Sequence, residues 1–138
     1  MPLEFRFRHP VPVRFKDIDI GGHAHHSHAL VYFEEARWAY WREVVGRGRP
    51  EQVDYILADV RVRYHQRVLY PQTLDVGVRV SGVGRKTFDM VYEVLGEDGT
   101  RLVSGASVQV AYDYEAARSV RVSDELRRVL EAFDGPFA

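Results

Sequence analysis

Apolar and polar positions along this 138-residue chain change their period three times. Val11, Val13 and Phe15 alternate with Pro12 and Arg14, so a short first strand is predicted over Val11–Phe15. From Ser27 to Val45 there is no Gly or Pro, and Gly46 and Gly48 then close the segment, which predicts one long helix. Leu30, Phe33, Ala36, Tyr40 and Val44 form one apolar stripe on it, while Val31, Trp38, Trp41 and Val45 lie off that stripe. A helix apolar nearly all round is one that the fold buries.

From Ile56 the period returns to two. Val60, Val62, Tyr64, Gln66 and Val68 face one way, and Asp59, Arg61, Arg63, His65 and Arg67 face the other. Leu74, Val76, Val78 and Val80 repeat the pattern; Gly82-Val83-Gly84 breaks it, and Phe88, Met90, Tyr92 and Val94 resume it. Asp98-Gly99 is a strong hairpin signal before the last run, Leu102 to Tyr112, whose predicted inward face is Leu102, Ala106, Val108, Val110 and Tyr112. Ser123 is placed to cap a final helix, with Asp124 and Glu125 in its first turn and Leu126, Leu130 and Phe133 facing inward. Short connections imply an antiparallel sheet. The expected architecture is one α+β domain over residues 1–138: a sheet curled around the long helix, with a short C-terminal helix.

Length agrees with a single core that needs no staple. The chain carries 19 Lys and Arg against 20 Asp and Glu, a formal charge of −1, so no overall positive field draws it to nucleic acid. It holds no cysteine, which excludes disulfides, thiolate metal sites and a cysteine nucleophile. The N-terminal stretch alternates basic and apolar residues and contains three prolines by residue 12, so export by a cleaved signal is not expected. Nor does any window approach the roughly 20 apolar residues that span a bilayer. A soluble, cytoplasmic protein is expected.

Chemistry concentrates between the first strand and the long helix, in Arg14-Phe15-Lys16-Asp17-Ile18-Asp19-Ile20-Gly21-Gly22-His23-Ala24-His25-His26. Two carboxylates, two glycines and then a helix start bring a carboxylate near backbone N–H groups that lack intrahelical partners. A carboxylate beside an oxyanion site suits acyl transfer, although an Asp before a helix also serves as a cap or turn residue.

This stretch, followed by Tyr32-Phe33-Glu34-Glu35-Ala36-Arg37, resembles the signature of the hotdog-fold acyl-CoA thioesterases of the 4-hydroxybenzoyl-CoA thioesterase family. The likeness extends to Ala111-Tyr112-Asp113, Arg118 and the start of the last helix, so it spans nearly the whole chain. It implies a hotdog fold, a five-stranded antiparallel sheet wrapped on one central helix. It also implies that Asp19 is the catalytic carboxylate, acting either on the thioester carbonyl or through water, and that the backbone N–H of His26 is the oxyanion donor. An ordinary Asp is ionised at neutral pH, as both routes require. Glu35 matches a helix glutamate that orients the site; its alternative is a glutamate satisfied by Arg37 or a neighbouring loop. His25 and His26 depart from the Asn-Asn common in the signature, which leaves a backbone donor intact because only proline lacks one.

His23, His25, His26 and His28, with Asp17 or Asp19, raise a metal site, but their spacing fits no zinc pattern and no metal or other cofactor is expected. For the phosphates of CoA, Arg85 and Lys86 are the candidate contacts; Arg61, Arg63, His65 and Arg67 could equally form a solvated sheet face. Phe15, Trp38, Tyr40 and Trp41 are candidates for an acyl pocket or for plain core. The expected activity is hydrolysis of an acyl-CoA to a carboxylic acid and CoA by a homodimer or homotetramer, since sheet edges must be paired or protected. The alternatives are a non-catalytic acyl-CoA-binding or regulatory hotdog domain, and a hotdog dehydratase or hydratase, whose signature this is not.

Overall fold

A computed structural model describes residues 4–137; the first residues of the N-terminal stretch discussed above lie outside the described residues. Strand β1 (Phe7–Pro12) leads through a 3-10 turn at Phe15–Asp17 to helix α1 (His28–Tyr40), which a π-type turn at Trp41–Val45 prolongs. Gly46, with φ +81°, ends it in the left-handed conformation that glycine adopts without steric cost. Then follow β2 (Tyr55–Tyr64), β3 (Thr73–Val83), β4 (Thr87–Leu95), β5 (Arg101–Asp113), the two-residue β6 (Arg118–Ser119) and α2 (Asp124–Asp134). The sheet order is β1-β3-β4-β5-β2, with β6 added on β5, and every pairing is antiparallel.

The core lies between α1 and the concave sheet face. Phe33 stacks on Tyr92 with ring centroids 4.3 Å apart, and Trp41 stacks on Phe88 at 5.3 Å. Gly105 makes the first contact possible: a Cβ there would lie 2.5 Å from both Phe33 Cε2 and the Arg61 carbonyl oxygen. Tyr40 and Trp41 are fully buried core residues. At the C-terminus the Ser123 hydroxyl accepts the Leu126 N–H at 3.1 Å, and Leu126 and Leu130 are buried as expected for an amphipathic helix.

Three expectations are corrected. The first strand is Phe7–Pro12 and not Val11–Phe15, because its pairing to β3 begins at Phe7↔Val78 and the chain then turns at Phe15, which is 73% exposed. Leu102 is buried as expected, but beyond it the inward face of β5 is Val103, Gly105, Ser107, Gln109 and Ala111, the opposite of the predicted Ala106, Val108, Val110 and Tyr112. Ser107 and Gln109 are buried because they join a hydrogen-bond network with the Tyr92 hydroxyl, and the register shifts at the start of the strand. The alternation after Ile56 stops at Tyr64, where the N–H groups of His65 and Gln66 both donate to the Leu102 carbonyl.

Candidate active site

The segment from Asp17 to Ser27 is held by its own backbone and by one buried carboxylate. Ile18 bridges Ala24, the Asp19 N–H donates to the His23 carbonyl at 2.9 Å, and the Gly22 N–H donates to the Asp19 carbonyl at 3.0 Å. This tight reversal needs Gly22, whose φ is +82°. Asp17 is 2% exposed. Its Oδ2 accepts the Arg14 N–H and the Tyr32 hydroxyl, each at 3.0 Å, and its carbonyl accepts the His25 N–H at 2.8 Å. Asp17 therefore anchors the loop to α1 and is committed to structure.

Asp19, two residues on, is partly exposed, and its Oδ1 accepts the Gly21 N–H at 2.8 Å. A Cβ on Gly21 would lie 3.1 Å from both that oxygen and His23 Nε2, so glycine here keeps the space beside the carboxylate open. His26 stands just ahead of α1, in a lead-in where the N–H groups of His28, Ala29 and Leu30 donate to the carbonyls of His25, His26 and Ser27, a 3-10 pattern. Among the described residues the His26 N–H itself has no hydrogen-bond partner. Its carbonyl accepts the Tyr64 hydroxyl from the end of β2.

Asp19, His23, His25 and His26 border one cavity of about 270 Å³. Ala24, Ala29, Val68 and Val103 supply its apolar walls, and Tyr32, Tyr64 and Arg67 complete it. Asp19 and His26 thus border one apolar space, and a carboxylate with a free acceptor oxygen beside a backbone donor is the equipment for attack on an acyl carbonyl.

Other candidate residues are elsewhere. Glu35 does not line this cavity; its Oε1 accepts Arg14 Nη2 at 3.1 Å while its Oε2 is buried without a partner among the described residues, and Arg37 turns to the Tyr92 hydroxyl. Arg85 and Lys86 lie between β3 and β4, where their carbonyls accept the N–H groups of Val122 and Ala111. Ala111 is eight residues along β5 from Val103, about 26 Å at the rise of a strand, so within one chain these cations stand at the far end from Asp19. Phe15 packs edge-on against Tyr70 outside the cavity. The His25 and His26 rings lie 4.0 Å apart and His23 borders the same cavity, but His25 Nδ1 lies 2.9 Å from Ser27 Oγ and His28 Nε2 lies 3.3 Å from Asp17 Oδ1. Among the described residues no three His, Asp or Glu side chains group as a metal site. Arg67, which the sequence offers either as a CoA-phosphate contact or as part of a solvated sheet face, borders the cavity, and so does Tyr64, which the sequence does not mark for the site; the alternation around Tyr64 gives its inward direction, but nothing local signals that β2 ends beside the start of α1.

A curled antiparallel sheet wrapped on one central helix is a hotdog fold, and the family match over this chain places it in the thioesterase-like class of that fold. Residues 13–130 match the Thioesterase-like superfamily, to which the chain belongs. The Bacillus subtilis protein YsmA, itself uncharacterized, is 30% identical over 128 residues, which cover 91% of this chain and 86% of that one. A thioesterase of Thermus thermophilus, crystallised with coenzyme A and Zn, is 28% identical with a TM-score of 0.84, covering 96% of each chain. A thioesterase-superfamily protein of a Jannaschia species, 19% identical, shares the fold with a TM-score of 0.87 over 99% of this chain and 100% of its own.

Proposed function

We propose that this protein hydrolyses an acyl-CoA thioester to a carboxylic acid and free CoA, with Asp19 as the catalytic carboxylate and the His26 N–H as oxyanion donor. The observation that carries this reading is that Asp19 and His26, whose N–H has no hydrogen-bond partner among the described residues, border the same largely apolar cavity. The coenzyme A in the 28%-identical thioesterase of Thermus thermophilus supports the choice of thiol.

The acyl group enters the cavity with its carbonyl oxygen toward the His26 N–H. In one route Asp19 takes a proton from water, and the water oxygen bonds to the carbonyl carbon. In the other an Asp19 oxygen forms that bond itself, giving an anhydride that water then cleaves. Either way negative charge moves onto the carbonyl oxygen and is met by the N–H; collapse then breaks the C–S bond. The CoA thiolate leaves and takes up the proton released by the attacking water. A thiolate leaves readily, so no strong general acid is needed.

Tyr64 holds the His26 carbonyl, and so the peptide that follows His26, beside the start of α1. Arg67 is the cation nearest the cavity for a phosphorylated tail. Glu35 acts through Arg14, holding the strand-to-loop junction. Arg85 and Lys86 would reach the CoA phosphates from a second copy. Such a copy is expected along β2: the other edge, β1, carries Pro10 and Pro12, which lack donors, whereas the ten residues of β2 contain no proline and leave Ile56 and Leu57 each 42% exposed.

The test is a screen of short, long and aromatic acyl-CoAs for released thiol, run beside Asp19→Asn. Turnover of at least one thioester that the variant loses is expected. Binding of acyl-CoA without turnover would favour the non-catalytic alternative.

A further inference from the structure

His23 brings a nitrogen base to the cavity that Asp19 borders, and the fold selects which ring nitrogen is free. Its Nδ1 lies 3.3 Å from the Ala24 carbonyl oxygen. That oxygen only accepts, so in the neutral ring Nδ1 carries the proton and Nε2 presents its lone pair. Nε2 forms no hydrogen bond among the described residues and is not enclosed. The loop uses the backbone of this residue, whose carbonyl accepts the Asp19 N–H and which bridges Leu69, while the ring holds only the Ala24 carbonyl. His25, at the same cavity, is arranged the other way. Its Nδ1 accepts the Ser27 N–H at 3.2 Å, so its neutral ring carries the proton on Nε2 and has no lone pair left to offer.

Gly21 sets the distance between His23 and the carboxylate. The place where a Cβ on Gly21 would stand is 3.1 Å from His23 Nε2 and 3.1 Å from Asp19 Oδ1, so the two atoms are at most two hydrogen-bond lengths apart. They form no ion pair, which puts them more than 4.0 Å apart. One water fits that interval and touches both, the arrangement in which a base works through a bound water.

We propose that His23 is a second catalytic base of this site, its Nε2 holding the hydrolytic water and taking up its proton. The role rests on thioester hydrolysis by Asp19 and supplies a group that the covalent route lacks. In that route Asp19 is bonded to the acyl group and has no free charge with which to deprotonate the second water. His23 Nε2 takes the proton, the water oxygen bonds to the acyl carbon, and the C–O bond to Asp19 breaks, which restores the carboxylate. The proton then passes from Nε2 to the CoA thiolate. In the direct route Asp19 takes one proton of the water and Nε2 accepts a hydrogen bond from the other, which aims the water oxygen at the carbonyl carbon.

The test uses the whole protein and an acyl-CoA that it turns over and Asp19→Asn does not. His23→Ala is expected to lower kcat about 100-fold or more with KM within a few-fold, as for loss of a positioned base. His23→Gln, which keeps a polar side chain in the loop but no base, should lose kcat alongside it. The backbone contacts of residue 23 survive both changes, so circular dichroism and oligomer size should match wild type. Added imidazole is expected to raise kcat of His23→Ala at least about 10-fold and to leave Asp19→Asn unmoved, a response that a structural ring would not give. A kcat within a few-fold of wild type in either variant overturns the role of His23, as does a loss confined to KM or one that imidazole leaves unchanged. In each of those cases the loss in Asp19→Asn still upholds the hydrolysis, whereas a wild-type protein that cleaves no thioester overturns both.

Discussion

The Tyr32 hydroxyl donates to Asp17 Oδ2 at 3.0 Å, through the same oxygen that accepts the Arg14 N–H. One buried carboxylate thereby ties the loop that carries Asp19 to the second turn of the helix that follows it. Asp17→Ala strands both donors, and an orphaned buried donor costs about 1–3 kcal/mol. A loss of at least about 2 kcal/mol in denaturant unfolding is expected, with turnover falling alongside. Stability unchanged from wild type would show that the anchor is dispensable.

Asp19→Asn is expected to lower thioesterase turnover about 100-fold or more with the fold preserved, as for loss of a positioned base or nucleophile. Residual turnover within a few-fold of wild type, in protein free of contaminating esterase, would remove Asp19 from the mechanism.

His26 is expected to act through its main chain. His26→Pro deletes the donor and should cost about 100-fold to 1,000-fold, while His26→Ala keeps it and should cost far less. Circular dichroism and oligomer size control for misfolding. An alanine variant as inactive as the proline variant would make the imidazole the working group. Chelator treatment of the purified protein is expected to leave turnover unchanged; loss restored by zinc would bring the histidines back as ligands.

Alkaline pH should loosen the core through two tyrosines. Burial first, and then hydrogen bonding to Asp17 and Asp134, push the Tyr32 and Tyr40 hydroxyls well above the ordinary tyrosine value near 10. Their protonated forms are favoured in the fold, so the stabilisation is complete below about pH 10 and is lost above it, by about 1.4 kcal/mol per pH unit for each group. Urea midpoints from pH 9 to 11 should fall steeply, and less so in Tyr40→Phe. An equal slope in the variant would assign the effect elsewhere.

Gly105→Ala is expected to destabilise by about 1–3 kcal/mol or more, because the new Cβ meets both the Phe33 ring and the Arg61 carbonyl. Thermal unfolding measures it; a neutral change would mean that α1 can shift away from β5.

What the sequence determined by itself is local. The glycine- and proline-free run from Ser27, the two-residue alternation of Leu74 to Val80, the Asp98-Gly99 turn with φ +84° at Gly99, and the Ser123 cap each follow from contacts a few residues long. The loop bearing Asp19 was legible for the same reason, since its glycines and carboxylates act within one turn. Tertiary structure decided the rest. The face of β5 that turns inward depends on Ser107 finding the Tyr92 hydroxyl and Gln109 finding Ser107 and the Phe88 carbonyl, which apolar periodicity does not encode. Glu35 is claimed by Arg14, twenty-one residues earlier, and Tyr64 reaches His26 only because β2 pairs with β5 and ends beside the start of α1. Arg85 and Lys86 are separated from Asp19 by the length of the sheet for the same physical reason: strand register, fixed by long-range packing, sets where distant side chains meet.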